Sequence, residues 1–592
     1  MLLSDKIFSV FLIKPSHYDD DGYVIQWLRS AIPSNTLAAL NGLLTDCIER
    51  RILGDEVRIE VTSYDETNTR IIPQKIIQKI NHRGGRGLVA LVGVQSNQFP
   101  RAVDIARPLR AAGIQVCIGG FHVSGCLAML PELPNDIQQA QKLGISLFAG
   151  EAENRLDEVL LDAHQGKLKP LYNYMADLPG ITGTPVPILP PTRVYRTAGG
   201  LTSFDAGRGC PFMCSFCTII NVQGRKSRHR SADDIERIIR ENAARNIYSF
   251  FITDDNLARN QDWENIFDRL IYLREEEGIP IRFIIQVDTL CHKIPDFIDK
   301  AARAGVRRVF IGLENINPES LVAAKKKQNR ITDYRMMLQA WKNAGVITYA
   351  GYILGFPGDT PESIVRDIGI IKRELPIDLL EFFILTPLPG SADHKSLWTK
   401  GVWMDPDMNK YDLEHVTFKH DRMSKEDWER AYQLAWKSYY TTEHITTVMK
   451  RAVAKGISPG KIMFLMIWFY GCITFENVHP LQGGYLRRKY RKDRRYGLPV
   501  ENFFLFHARY LWETMVKHIR LLHFTSRLWL VRRKLKRDPK AKDYMDVALS
   551  PVNEEELDEL EMFNATDAAA AVVSKLKQKK QQRADGQTVT SH

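Results

Sequence analysis

The sequence predicts an α/β protein in three parts. These are an N-terminal doubly wound parallel (Rossmann-like) domain, a central partial (β/α)6 TIM-like barrel, and a C-terminal, mostly α-helical domain. Three observations predict this. Apolar, strand-like runs alternate with helical spacing over the first 165 residues. The alternation resumes as six strand–helix units between about 195 and 395. From about 405 the pattern becomes helical and rich in aromatic residues. The boundaries expected are 1–170, a proline-rich linker at 171–194, a core at 195–400, a helical domain at 401–550, and an acidic segment with a disordered tail at 551–592.

In the N-terminal part, residues 7–13 form a short apolar run ended by Lys14-Pro15. Residues 33–51 place Leu37, Leu40, Leu43, Leu44 and Ile48 at helical spacing. Residues 57–63 alternate like a strand, and 87–94 is a continuous apolar run, as expected for a buried parallel strand. A helix over 102–112 stops at Gly113. The strand at 114–118 ends in Gly119-Gly120-Phe121-His122. The strand at 146–148 is followed by Gly150-Glu151-Ala152-Glu153 and a helix to His164. In such sheets ligands bind beyond the carboxyl ends of the strands, and those ends carry the glycines here. The acidic loop 16–22 is read either as facing that site or as a solvated surface loop.

The central units have strands at 201–204, 249–252, 282–287, 308–312, 347–354 and 379–385. Ser231 is a good N-cap for the helix 232–245, with Asp233, Asp234 and Glu236 in its first turn. Six successive units give a curved, partly closed barrel, with function collected at the carboxyl ends of the strands. Cys210, Asp254, Asp255, Asn256, Gln286, Glu314 and the run Gly355-Phe356-Pro357-Gly358 fall there. Alternative readings are a helix-capping turn for the Asp254 run and pairing of Glu314 with Arg307 or Arg308.

The densest chemical signal is Cys210-Pro-Phe-Met-Cys214-Ser-Phe-Cys217, three cysteines in eight residues. No fourth cysteine or histidine follows at zinc spacing, and a structural zinc site wants four ligands. An iron–sulfur cubane held by three cysteines leaves one iron for an outside ligand. The C-x3-C-x-Phe-C pattern resembles the signature of the radical S-adenosylmethionine (SAM) superfamily. The layout of the first 165 residues resembles the cobalamin-binding domain that precedes the radical core in one branch of it.

That resemblance implies a 4Fe-4S cluster on Cys210, Cys214 and Cys217, whose free iron takes SAM. It implies reductive cleavage of SAM to a 5′-deoxyadenosyl radical. It places Phe216 and the Gly355-Phe356-Pro357 segment near the adenine, Asp254-Asp255-Asn256 at the SAM amino group, and Glu314 at the ribose or the methionine amine. Gln286 is counted with this cofactor-binding set. Gly119, Gly120, His122, Gly150 and Glu151 match the cobalamin-domain pattern. An Asp-x-His-x-x-Gly motif is absent, so no histidine is placed to ligate cobalt from below.

Composition narrows the class further. There is no secretory-type N-terminus and no apolar run of the roughly 20 residues that span a bilayer. Eight cysteines without a disulfide-like framework fit a reducing cytoplasm. The net charge of +11 is partly clustered, at 485–496 and in an amphipathic stretch at 518–537 that suits an inner membrane surface or, equally, a packed helix with a solvated face. Residues 461–475 are apolar nearly all round, so that helix is buried or inserted in something apolar. The expected reaction is radical methylation of an unactivated carbon on a hydrophobic small molecule or lipid, with reduced flavodoxin or ferredoxin as electron donor. The alternatives are a radical cyclase or rearrangement enzyme, a tRNA-modifying radical enzyme, and an iron–sulfur electron carrier. Cys47, Cys117 and Cys126 lack clustered spacing and the tail reads as helical, which argues against nucleic acid as the partner.

Overall fold

The structure is a computed structural model that describes residues 6–551 and 559–584. In the N-terminal part the strands are β1 (Lys6–Lys14), β2 (Gln26–Ser30), β3 (Val57–Asp65), β4 (Gly87–Leu91), β5 (Gln115–Gly119), β6 (Ser146–Ala149) and β7 (Leu171–Asn173). All but β2 form one parallel sheet in the order β3-β1-β4-β5-β6-β7. Its central strands are buried on both faces, which is why they read as continuous apolar runs. The order reverses between β1 and β4, so a crevice opens at the carboxyl ends of those two strands. The helix Asn35–Glu49 flanks the crevice, and Ser34 caps it by accepting from the Leu37 N–H.

The core contributes β8 (Leu201–Phe204), β9 (Gly207–Arg208), β10 (Arg228–His229), β11 (Ser249–Ile252), β12 (Arg282–Val287), β13 (Val306–Glu314), β14 (Ile347–Leu354) and β15 (Leu379–Ile384). Six of these pair in sequence order, β8-β11-β12-β13-β14-β15, all parallel. That is a single-direction βα walk, the partial barrel expected. Its helices start at strong local signals. Ser231 and Asp234 form a capping box for Ala232–Ala243, and Thr360 and Ser363 do so for Pro361–Glu374.

The two sheets are locked together by close backbone approach. Gly125, on the helix Phe121–Met129, lies against the carbonyl of Pro389, and Gly390 lies against the Cα of Gly125. The proline-rich linker is extended but not loose. Val186, Ile188 and Leu189 are buried, and the Ile188 N–H donates to Ala38 O at 3.1 Å.

The C-terminal helices Lys425–Tyr439, Thr442–Ala454 and Pro459–Gly471 pack on the outer side of the barrel, with Trp428 and Trp436 fully buried. The apolar helix ends at Gly471 and continues as a π-turn over Cys472–Glu476, and Phe464 on it is 59% exposed. The basic run 485–496 is not a free patch. Its strand β16 (Gly484–Arg488) pairs with β2, and Arg487 and Lys489 reach Asp19 at 2.9 and 3.0 Å. The acidic loop 16–22 is thus neither at the crevice nor merely solvated, because opposite charge from the far end of the chain covers it. The amphipathic stretch belongs to a longer helix, Phe503–Arg537, of 35 residues. A further helix, Asp567–Ala584, covers residues where a disordered tail is expected from 575. Most of the acidic segment (553–558) and the last residues, 585–592, lie outside the described residues.

Candidate functional site

The cysteine loop leaves β9 at the carboxyl end of the barrel, beneath the crevice of the N-terminal sheet. Cys214 is buried, while Cys210 and Cys217 are partly exposed. Gln328 Nε2 donates to Cys214 Sγ at 3.5 Å. Burial pushes the Cys217 thiol up to about 12 and raises Cys210 as well, with the neighbouring Cys214 and Asp255 adding to both. A buried thiol held this high is a metal ligand only when a cationic centre draws off its proton. Among the described residues no three Cys, His, Asp or Glu side chains converge on a single metal ion. Three cysteines on one bent loop, each free to take its own iron, fit a cubane better than a mononuclear site.

The loop is held by carboxylates that the sequence points to, in roles it does not disclose. Asp254 Oδ1 accepts from the Ala206 and Gly207 N–H groups at 2.6 and 2.7 Å, and its other oxygen accepts from Asn260 at 3.0 Å. Asp255 accepts from the Gly209 N–H at 2.8 Å. Both lie at about 7, pushed up by burial against those hydrogen bonds. They brace the backbone just before Cys210. Asn256 donates to Asp288 at 2.9 Å, and Arg259 grips the same carboxylate at 2.6 and 2.9 Å. Gln286 reaches the Asp254 carbonyl at 3.4 Å.

Glu314 ends β13 at a register shift against β14 and has φ +65°. A bulge with left-handed backbone re-aims a side chain and marks stored strain. The carboxylate meets the buried ammonium of Lys326 rather than Arg307 or Arg308. Lys326 also sits 5.7 Å from the Phe216 ring, and Phe216 is 6.5 Å from Phe356. Glu314, Lys326, Phe216 and Phe356 therefore form one wall of the barrel mouth. Phe356 follows Gly355, whose φ is +103° and whose missing Cβ leaves room for the Trp428 ring. Asp359 accepts from the Gly355 and Phe356 N–H groups at 2.8 and 3.0 Å, and His420 Nε2 lies 3.0 Å from Phe356 O. Pro357 is exposed on the turn.

Above the loop lies an apolar cleft at the switch point of the first sheet. Its cavity volume is about 190 Å³. Gly119, Gly120, Gly150 and Glu151 line it, together with Leu43, Val92 and Phe148; Arg208, Val222 and Gln223 of the core close its far side. Gly120 has φ +150° and packs on the Val94 backbone, so no side chain fits there. His122 is not part of the lining. It is buried behind the sheet, with Nδ1 3.1 Å from Ser96 Oγ and Nε2 2.8 Å from Asp136. Glu151 is committed to ion pairs, at 2.6 Å to Arg208 and 2.5 Å to Arg228. Arg208 also takes Glu153 at 2.6 Å and Asp205 at 2.5 Å. This buried cluster ties the floor of the cleft to the strand that delivers Cys210.

Sequence reasoning missed Arg208, Lys326, Gln328, Asp359, His420 and Trp428. Arg208 and the lysine run at 325–327 were legible only as charge, since nothing local signals that they become buried.

Residues 206–369 match the family model described as the radical SAM superfamily. The chain is 26% identical over 418 residues to bacteriochlorophyllide d C-12(1)-methyltransferase of Chlorobaculum tepidum, covering 69% of this chain and 83% of that one. It is 23% identical over 388 residues to hopanoid C-2 methylase of Rhodopseudomonas palustris, covering 62% and 70%. The fold is similar to that of OxsB, a cobalamin-dependent S-adenosylmethionine radical enzyme. The TM-score is 0.51 at 13% identity, covering 89% of this chain and 83% of that one. The cysteine loop thus lies at the mouth of a barrel whose residues 206–369 match the radical SAM superfamily, under a doubly wound sheet, and the fold as a whole is similar to that of OxsB.

Proposed function

We propose that the chain catalyses cobalamin-dependent radical methylation of a carbon centre on a hydrophobic substrate. One observation carries the reading: the apolar cleft at the switch point is closed on its core side by Arg208, Val222 and Gln223, which flank the cysteine loop in the chain. A large planar cofactor in the cleft and SAM at the barrel mouth would then face a common space. The apolar lining of the cleft suits such a ring, and no histidine is among its lining residues. Relatives that methylate a chlorophyll-type ring and a hopanoid support a bulky apolar substrate.

When bound, the cluster and SAM supply a reductively generated 5′-deoxyadenosyl radical, and cobalamin supplies a transferable methyl group. The protein's part is positioning. Cys210, Cys214 and Cys217 would hold the cluster, while Asp254 and Asp255 fix the backbone that presents it. Glu314, on its strained bulge and held by Lys326, would take a cationic or hydroxyl group of SAM. Phe216 and Phe356 would offer aromatic faces to the adenine. Buried Trp428 and His420 lock that loop from behind and keep water from it.

Reduced flavodoxin or ferredoxin would donate the electron. The helix Phe503–Arg537 leaves Phe504, Leu511, Trp512, Ile519 and Leu522 more than half exposed and carries Arg and Lys toward its end. That face supports contact with an anionic membrane surface, where an apolar substrate is stored. No described helix is long and apolar enough to cross a membrane.

The test is anaerobic reconstitution with iron, sulfide and hydroxocobalamin, desalting, then dithionite and SAM. The expected result is retained corrinoid together with 5′-deoxyadenosine that disappears in Cys214→Ala. SAM cleavage by protein that retains no corrinoid would overturn methylation and favour a cyclase or rearrangement.

A further inference from the structure

The opposite end of the barrel carries a second, unrelated feature. At the amino ends of β12, β13 and β14 there is an open basin of about 990 Å³. Six cationic side chains line it: Arg274, Arg282, Arg307, Arg308, Lys461 and Arg532. No acidic residue lines it, and none of the six is ion-paired among the described residues. They come from five elements, namely the end of helix Trp263–Glu275, the start of β12, the start of β13, helix Pro459–Gly471 and helix Phe503–Arg537.

Folding holds these charges together against their mutual repulsion. Arg274, Arg307, Arg308 and Arg532 are half-buried, so water screens them only in part. Burial lowers Arg307 from its ordinary value, and Arg274 and Arg282 add to the effect. The buried Arg532 Nε has no hydrogen-bond partner. Its guanidinium lies against Gly460, where a Cβ would come within 3.0 Å of it. Helix Pro459–Gly471 begins in the basin, and its N-cap Ser458 makes no side-chain cap hydrogen bond. Its first N–H groups and the positive end of its dipole add to the same field. The basic run at 485–496 is handled differently, because there Asp19, Asp21 and Asp407 pair with Arg487, Lys489 and Arg495.

We propose that this basin binds a multiply charged, phosphate-bearing anion. Guanidinium forks match phosphate oxygens bidentately, and five converging arginines suit more than one phosphate or a phosphate with a second anionic group. The site is separate from the reaction centre. Strands of six to nine residues put roughly 20–30 Å between the amino and carboxyl ends of the barrel. The ligand is therefore an anchor or an effector, not the methylated group. The phosphate could belong to a soluble oligophosphate or to an anionic lipid headgroup, because Phe464 stands exposed on the rim.

The experiment uses the cofactor-loaded full chain and two probes: inorganic pyrophosphate, followed by calorimetric titration, and phosphatidylglycerol vesicles, followed by flotation. The variant is Arg282→Gln with Lys461→Gln, two exposed positions whose loss leaves the core intact. A control confirms that SAM cleavage is unchanged. The expected result is saturable pyrophosphate binding that weakens with salt and drops at least tenfold in the variant. If pyrophosphate also releases the protein from vesicles, the lipid headgroup is the occupant; if vesicle binding ignores pyrophosphate, it is a soluble anion. Binding of neither probe, or binding that the variant leaves unchanged, would overturn the proposal.

Discussion

Replacing Arg208 with Met tests whether the domain junction depends on one buried cation. The Arg208 side chain is 10% exposed and touches Asp205, Glu151 and Glu153, which are 3%, 7% and 5% exposed. Methionine fills similar volume but leaves Glu153 without its partner and Asp205 with only Arg230 at 3.5 Å. Glu151 keeps Arg228. Breaking a buried pair from one side costs about 3–5 kcal/mol, against about 0–1 for a surface pair. The cost must depend on pH. Burial works against ionised Asp205, yet Arg208 and Arg230 hold its carboxyl below the ordinary value. That stability is present above pH of about 4 and lost as pH falls below it. Without Arg208 burial wins and the carboxyl rises, so stability is lost instead as pH increases. The gap between wild type and variant should therefore widen from pH 5 to pH 8. Urea unfolding of the cofactor-free protein, followed by tryptophan fluorescence, measures it; midpoints of the first transition are compared because the chain has several domains. A loss under about 1 kcal/mol, or a gap independent of pH, would refute the reasoning.

Other variants probe the barrel mouth and core. Gly355→Ala must push aside the Trp428 ring and adopt φ +103°, and is expected to cost at least about 2 kcal/mol in urea unfolding and to abolish SAM binding. Lys326→Met strands the Glu314 carboxylate, and SAM affinity by equilibrium dialysis should fall about tenfold or more, with cluster absorbance unchanged. Glu381 is fully buried on β15, its Oε2 has no hydrogen-bond partner, and burial raises it to about 8. Its protonated form favours the fold below about pH 4.5, and this is lost as pH rises through 8; Glu381→Gln should flatten the fall in urea midpoint between pH 5 and 8. Cys214→Ala should remove the cluster's visible absorbance while leaving the far-ultraviolet circular dichroism unchanged.

The sequence alone determined the layers and the chemistry. Alternating apolar strands and spaced helices required a parallel sheet followed by a βα barrel, because both patterns are local and repeat. The three cysteines stood out because their ligand spacing is also local. Residues carried only by burial stayed hidden. His122 follows a glycine pair at a strand end, as a cofactor ligand would, yet the helix it begins turns it behind the sheet to Ser96 and Asp136. Glu151 sits at the next strand end, but two arginines from the core take its charge. Asp254 is at the expected place and spends its oxygens on the backbone before Cys210. Lys326 and Arg208 looked like surface charge until the strands around them closed. The basin at the far end of the barrel gathers Arg274, Arg282, Arg307, Arg308, Lys461 and Arg532 from positions more than 250 residues apart at the extremes. Periodicity and spacing act over a few residues, and so they were readable from the sequence. Which charges meet, and which of them are removed from water, was decided by tertiary packing alone.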